Sequence, residues 1–114
     1  MRAAVIDIGS NSVLLLVGER TATGWRTLLD TARITRLGEG FSAEKWLQPQ
    51  AIERTLQVLD EYLETCRAMG VDRVIAVATA VVREARNQAA FAAQVQARLR
   101  RFALTTPPPP PDAC

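Results

Sequence analysis

Histidine is absent from this sequence. No histidine-ligated metal centre and no histidine-based catalytic triad can therefore be assembled from the chain itself. Lysine occurs once, at Lys45, against 13 arginines. With 12 acidic residues the net charge is +2, too balanced for a polycationic nucleic-acid binder or an acidic tail. DNA is accordingly not an expected partner. Aromatic residues make up 5% of the chain and are scattered, which removes a base-stacking platform. Cysteine occurs twice, at Cys66 and Cys114, too few to staple a secreted scaffold, so a reduced compartment is expected. Near the N-terminus the longest apolar run, Val13 to Val17, is five residues, whereas a membrane span needs about 18. Asp7 interrupts what would have to be a signal-peptide core. The expectation is a cytoplasmic protein without a membrane anchor.

What is present is an ordinary globular composition: 48% hydrophobic and 23% charged residues over 114 positions, enough for one modest core. Ala3 to Ile8 is an apolar run too short for a helix and reads as a buried strand. Ser10-Asn11-Ser12 is a turn, and Val13 to Gly18 is a second buried strand. A turn at 21–24 leads into a third strand, Trp25 to Arg36, with Trp25, Thr27, Leu29 and then Ile34 assigned to one face. Such short connections cannot make parallel crossovers, so the three form an antiparallel meander. Pro49 suits the first turn of a helix. From there Ile52, Leu56, Leu59, Leu63 and Cys66 recur at helical spacing, opposite a face of Glu, Asp, Gln and Arg. Gly70 fits the position just past the helix end. Asp72 to Ala78 is a fourth strand, predicted parallel to an earlier one through a right-handed crossover. A second helix follows, with Asn87 as its cap and Phe91, Val95, Leu99 and Phe102 as its buried stripe. The order is β-β-β-α-β-α, an α/β class with a mixed sheet. Residues 1–103 are assigned to this partial domain and 104–114, with five consecutive prolines, to a disordered Pro-rich tail.

Two segments can carry chemistry. In Asp7-Ile8-Gly9-Ser10-Asn11-Ser12 a carboxylate near a strand end precedes a glycine-started turn of short polar residues. Gly9 can take a positive φ and lets backbone approach a ligand, and successive turn amides make a concave anion site. Asp7 repels phosphate but suits a magnesium ion or an attacking water. As a plain alternative, this is a solvated tight turn. In the second segment, Thr79 and Arg83 follow the fourth strand, where parallel sheets bind ligands. Arg83 offers a fork suited to phosphate. The plain alternatives are a hydroxyl bonded to local backbone and an arginine paired with Glu84. Arg36-Leu37-Gly38-Glu39-Gly40 reads as common loop chemistry. Asp60, Glu61 and Glu64 lie among Arg54 and Arg67 and read as a charged surface.

In this order and spacing, IDIGSNSVLLLV, ITRLGEGF, AIERTLQVLDEYL and VIAVATAVVREARN resemble the N-terminal part of the exopolyphosphatase / guanosine pentaphosphate phosphohydrolase (Ppx/GppA) family. The resemblance covers about residues 3 to 100. It implies a ribonuclease-H-like fold of the actin / sugar-kinase / Hsp70 superfamily and a magnesium- or manganese-dependent hydrolase of phosphoanhydrides. Its substrates would be polyphosphate or guanosine penta- and tetraphosphate, and full-length relatives would be homodimers. It implies catalytic and metal-holding roles for Asp7 and a catalytic role for Arg83. Phosphate binding is implied for Gly9, Ser10, Asn11, Ser12, Thr79, Arg83 and Asn87. Ala80 stands where a Ser or Glu is frequent. The family continues with a further strand, a Glu-rich segment, a second Gly-rich loop and a second lobe. None of these is in this sequence, which is read as an N-terminal fragment, inactive alone and with one sheet edge unpaired. The competing functions are a non-catalytic phosphate- or nucleotide-binding module and a half-domain of a related sugar or acetate kinase.

Overall fold

A computed structural model describes residues 1–41 and 44–105. Seven elements follow in order: β1 (Arg2–Ile8), β2 (Ser12–Thr21), β3 (Gly24–Ile34), α1 (Pro49–Ala68), β4 (Arg73–Ala78), α2 (Ala80–Glu84) and α3 (Gln88–Thr105). The sheet order is β3-β2-β1-β4. The turns at 9–11 and 22–23 are too short for anything but hairpins, so β1–β2 and β2–β3 are antiparallel. The connection through α1 is long enough to cross over, and β4 lies parallel to β1, with Asp7 beside Val77 and Ile8 beside Ala78. This is the expected mixed α/β arrangement of a partial domain.

Alternation along the inner strands sets the core. Ala4, Ile6 and Ile8 of β1 and Val13, Leu15 and Val17 of β2 are buried on one face, against Leu56, Leu59, Leu63 and Cys66 of α1. Tyr62 adds a polar lock, its hydroxyl donating to the Val13 carbonyl at 2.9 Å. Helix α1 starts with Pro at its first position, where the missing N–H has no intrahelical partner to lose. It stops as predicted at Gly70, whose φ is 68°. The Gly70 N–H donates to the Arg67 carbonyl and that of Val71 to the Cys66 carbonyl, and the buried Val71 closes the cap.

Four details depart from the sequence reading. Helix α2 was not anticipated, because five residues cannot display a helical period. The third strand ends at Ile34 rather than Arg36, since Thr35 and Arg36 turn to donate to the Asn11 carbonyl. A bulge lies between Val17 and Gly18: Val17 faces Leu29, Gly18 faces Thr27, and Leu28 is the extra residue. Strand alternation beyond that point is reversed, so Trp25 and Thr27 share a face with Ile34, and Leu29 lies on the other. Finally, α3 runs through Thr105, whose hydroxyl accepts from Arg67 at 2.8 Å. The first two residues assigned to the tail are therefore helical, and 106–114 lie outside the described residues. No described helix is long and apolar enough to cross a membrane.

Candidate functional site

The β1–β2 turn owes its shape to Gly9. Its N–H donates to the Ser12 carbonyl at 2.9 Å. A Cβ added at residue 9 would stand 2.8 Å from that same backbone oxygen, so any side chain would force the turn open. Gly9 does not have a positive φ. The glycine is required by space and not by the left-handed conformation that the sequence suggested.

The carbonyls of this turn are tied to one side. Ser10 O accepts from Gly38 N at 2.9 Å, and Asn11 O accepts from both Thr35 N and Arg36 N at 3.0 Å. Within a trans peptide the N–H points opposite to the C=O. The Asn11 N–H therefore points away from the 35–38 loop, and neither it nor the Ser10 N–H donates to any backbone acceptor among the described residues. The side chains of Ser10 and Asn11 are exposed and that of Ser12 is half-buried. The turn thus presents unengaged donors on its outer side, the elements of an anion cradle.

The 35–38 loop fixes this orientation. A Cβ at Gly38 would lie 3.4 Å from both the Cβ and O of Ser10, so the two backbones are in close approach. Arg54 of α1 clamps the loop from the helix side. Its Nε donates to Thr35 O at 2.9 Å, and its terminal nitrogen reaches Arg36 O at 3.3 Å and the Glu39 carboxylate at 3.2 Å. Sequence reasoning had placed Arg54 on a solvated helix face and the glycine-rich loop outside the site. One sequence holds no signal for either contact, because both join segments far apart in the chain.

Thr79 stands beside the turn. Its N–H donates to Ile8 O at 3.1 Å, and its methyl lies 3.9 Å from the ideal Cβ position of Gly9. Its hydroxyl is buried with no hydrogen-bond partner among the described residues. It neither caps α2 nor bonds the local backbone. Most buried hydroxyls are paired, so this orphan is a donor held ready beside unengaged amides. Arg83 is anchored at the same end of the sheet, its guanidinium donating to the Ala78 carbonyl at 3.2 Å. It forms no ion pair with a described residue, Glu84 included.

Asp7 lies in β1 between Leu14 and Val77, half-buried. It has neither an ion pair nor a hydrogen bond among the described residues. It faces the side of the sheet that carries no helix. No group of three acidic, cysteine or histidine residues suited to a metal occurs among the described residues. Asp7 is a lone carboxylate, and two acids of α1 are engaged elsewhere: Asp60 pairs with Arg98 at 2.8 Å and Glu61 with Arg33. Magnesium commonly takes one or two carboxylates and completes its shell with water and substrate phosphate oxygens. A single unpaired carboxylate beside an anion cradle fits that mode.

Asn87 does not join the others. Its Oδ1 accepts from Leu47 N at 3.0 Å and its Nδ2 donates to Leu47 O at 2.9 Å. Both ends of the amide hold the segment before α1, so it caps no helix with its side chain and has none of its amide directed to a phosphate. The structure thus gathers Asp7, Gly9, Ser10, Asn11, Ser12, Thr79 and Arg83 at the carboxyl ends of β1 and β4, and leaves Asn87 apart.

Comparison with known proteins gives concordant results. The family model described as the Ppx/GppA phosphatase family matches residues 3–101. Exopolyphosphatase 2 of Mycobacterium tuberculosis is 38% identical over 94 residues, which cover 79% of this chain and 30% of that protein. The crystal structure of the Aquifex aeolicus Ppx/GppA family member superposes with a TM-score of 0.82 at 39% identity, covering 88% of this chain and 33% of that one. An exopolyphosphatase from Cytophaga hutchinsonii gives a TM-score of 0.82 at 25% identity, covering 87% and 32%. The chain therefore spans about a third of the length of the relatives it matches.

Proposed function

The chain belongs to the Ppx/GppA phosphatase family, and from that premise we propose that it carries the first phosphate-binding wall of a phosphoanhydride hydrolase. The substrate class is inorganic polyphosphate or guanosine pentaphosphate, acted on at a terminal phosphoryl group in the cytoplasm. The observation that carries this reading is the unpartnered, buried Thr79 hydroxyl set against a turn whose outer amides are unengaged.

Phosphoryl transfer is governed by positioning and by stabilising charge on the transferring group's oxygens. The Asn11 amide, fixed in direction by the bond of the Ser10 carbonyl to Gly38, binds such an oxygen through a dipole that needs no reorganisation when charge develops, and the unengaged Ser10 amide lies next to it in the turn. The Thr79 hydroxyl adds a donor from the neighbouring strand end. Arg83, one N–H fixed on Ala78 O, keeps the rest of its fork for a phosphate oxygen. Asp7 repels phosphate directly. Its carboxylate would hold Mg²⁺, or Mn²⁺ with a similar taste for oxygen ligands, and the ion would supply neutralisation of phosphate charge. Alternatively or additionally it orients the attacking water.

A single free carboxylate supplies one wall of a cleft. The 114-residue chain is therefore expected to bind without turnover. The test is calorimetric titration of tripolyphosphate into the chain with magnesium present, alongside a phosphate-release assay. Binding that weakens at least tenfold in Arg83→Ala, with no phosphate released, is the expected result. Equal binding by wild type and Arg83→Ala overturns the site. Phosphate release that disappears in Asp7→Asn overturns the half-site reading and shows a complete active centre.

A further inference from the structure

Asn87 stands outside the phosphate site, and its amide builds a ledge beside it. The amide grips both the N–H and the carbonyl of Leu47, at 3.0 and 2.9 Å, and the neighbouring Arg86 N–H donates to the Lys45 carbonyl at 2.8 Å. Three hydrogen bonds thus bracket residues 45–47 against 86–87. Lys45 is held at a φ of 60°, a conformation that a non-glycine residue keeps only where the surrounding structure imposes it. Lys45 and Arg86 are exposed, and neither forms an ion pair with a described residue. Between Lys45 and the buried Leu47, Trp46 is 44% exposed, although its ring offers one of the largest apolar surfaces a chain can bury. The bracket therefore presents an indole flanked by two free cations.

The ledge is tied to the phosphate turn by two routes. Along α2, the Thr79 carbonyl accepts from Val82 and Arg83, the Val82 carbonyl accepts from Ala85, and Arg86 follows. The five residues of α2 span only about 7.5 Å. Along the loop after β3, Gly38 donates to the Ser10 carbonyl and Phe41 to the Gly38 carbonyl. The Gln48 side chain then donates to the carbonyls of Gly40 at 3.3 Å and Trp46 at 3.2 Å. A Val81 methyl lies 3.9 Å from the Cβ position of Gly38 and joins the two routes. A triphosphate and its ribose can bridge such a separation. We propose that Trp46 is the base-binding residue of this site, with Lys45 and Arg86 beside it for the phosphates nearest the sugar, so that the ligand taken is a nucleoside-linked polyphosphate. A strand of bases needs a series of aromatics, but one base needs one indole. Inorganic polyphosphate has no ring to stack and leaves Trp46 without a role. The assignment rests on the phosphate site proposed above and chooses between its two substrates.

The test is calorimetric titration of the chain with two ligands of three phosphates each, GTP and tripolyphosphate, in the presence of magnesium and with circular dichroism as a folding control. Trp46→Ala is expected to weaken GTP binding by a factor of about five or more and to leave tripolyphosphate binding unchanged. Trp46→Phe, which keeps a stacking face, is expected to retain most of the GTP affinity. Trp25→Ala removes the other exposed indole, at the far end of β3, and is expected to change neither ligand. A folded Trp46→Ala protein that binds GTP as tightly as wild type overturns the base-binding role and leaves the phosphate site standing. So does one that loses GTP and tripolyphosphate in equal measure, because the indole then serves no base. A wild type that binds neither ligand overturns the phosphate site and the base-binding role together.

Discussion

Replacing Thr79 by valine separates a ligand-binding hydroxyl from a structural one. Valine keeps the branched shape and the methyl that lies against Gly9, and removes the hydroxyl that has no partner. A buried polar group without a hydrogen bond costs about 1–3 kcal/mol of stability. The ligand-free variant is therefore expected to be more stable than wild type by about 1 kcal/mol, which for a domain of this size raises the melting temperature by roughly 4–8 °C. Phosphate binding moves in the opposite direction. A hydrogen bond to a charged acceptor contributes about 1.5–3 kcal/mol, so tripolyphosphate affinity is expected to fall by a factor of roughly ten to one hundred. Thr79→Ser, which retains the hydroxyl, is expected to keep most of the affinity. Calorimetric melting of the free protein and titration with tripolyphosphate read the two effects separately. A strut or cap that merely supports the fold loses stability when removed. A Thr79→Val protein that melts below wild type and binds tripolyphosphate as tightly would refute the assignment of this hydroxyl to a ligand.

Two further outcomes follow from the same geometry. Gly9→Ala forces a Cβ to within 2.8 Å of Ser12 O; overpacking of this kind costs about 1–3 kcal/mol and is expected to abolish tripolyphosphate binding in the protein that remains folded. Gly70→Ala, at φ 68°, costs a comparable 1–2 kcal/mol but is expected to leave binding intact, so equal binding by both variants contradicts the cradle. Burial raises the Cys66 thiol from 9.0 to about 11, so the folded state keeps a proton that the unfolded chain gives up. Stability is then complete below pH 9 and falls as the pH climbs toward 11. Thermal melts across that range should show a shallower decline in Cys66→Ala. The slope that remains above pH 10 belongs to Tyr62, which burial also raises while Arg33 pulls it down. Identical slopes in wild type and Cys66→Ala would contradict the buried thiol.

What the sequence made legible was what depends on neighbours along the chain. The stripe from Leu56 to Cys66 follows a helical period, and Gly70 marks its end by a conformation that few other residues tolerate. Short turns dictated the hairpins, and the one long connection dictated the parallel strand. What stayed hidden depends on partners distant in sequence or on single insertions. The extra residue Leu28 reverses the face of Trp25 and Thr27 without altering any local propensity. Asn87 looks like a helix cap by position, yet its amide is matched to the backbone of Leu47, 40 residues away. Arg54 looks solvated by helical phase, yet it holds three groups of the 35–39 segment. In the site, the juxtaposition of Asp7, the Gly9–Ser12 turn and Thr79 was legible, because a parallel β4 beside β1 forces their carboxyl ends together. The orphan state of the Thr79 hydroxyl was not.

The orientation of the turn follows from peptide geometry once the loop after β3 is in place. Each peptide unit has one carbonyl and one N–H on opposite sides. By accepting from Gly38, Thr35 and Arg36, the carbonyls of Ser10 and Asn11 commit those two peptides to one orientation. The Asn11 N–H, opposite the Ser10 carbonyl, then has no choice of direction. A free tight turn could swing its carbonyls outward, where they would repel phosphate oxygens. The docked turn cannot do so without breaking three backbone hydrogen bonds, each with a net worth of about 1 kcal/mol. Gly38 contributes to this arrangement through its backbone, whose N–H donates to the Ser10 carbonyl at 2.9 Å. Arg54 reinforces it from the helix side. The donor character of the outer surface is therefore a property of the β-meander and α1 together, and the residues of the turn alone do not determine it.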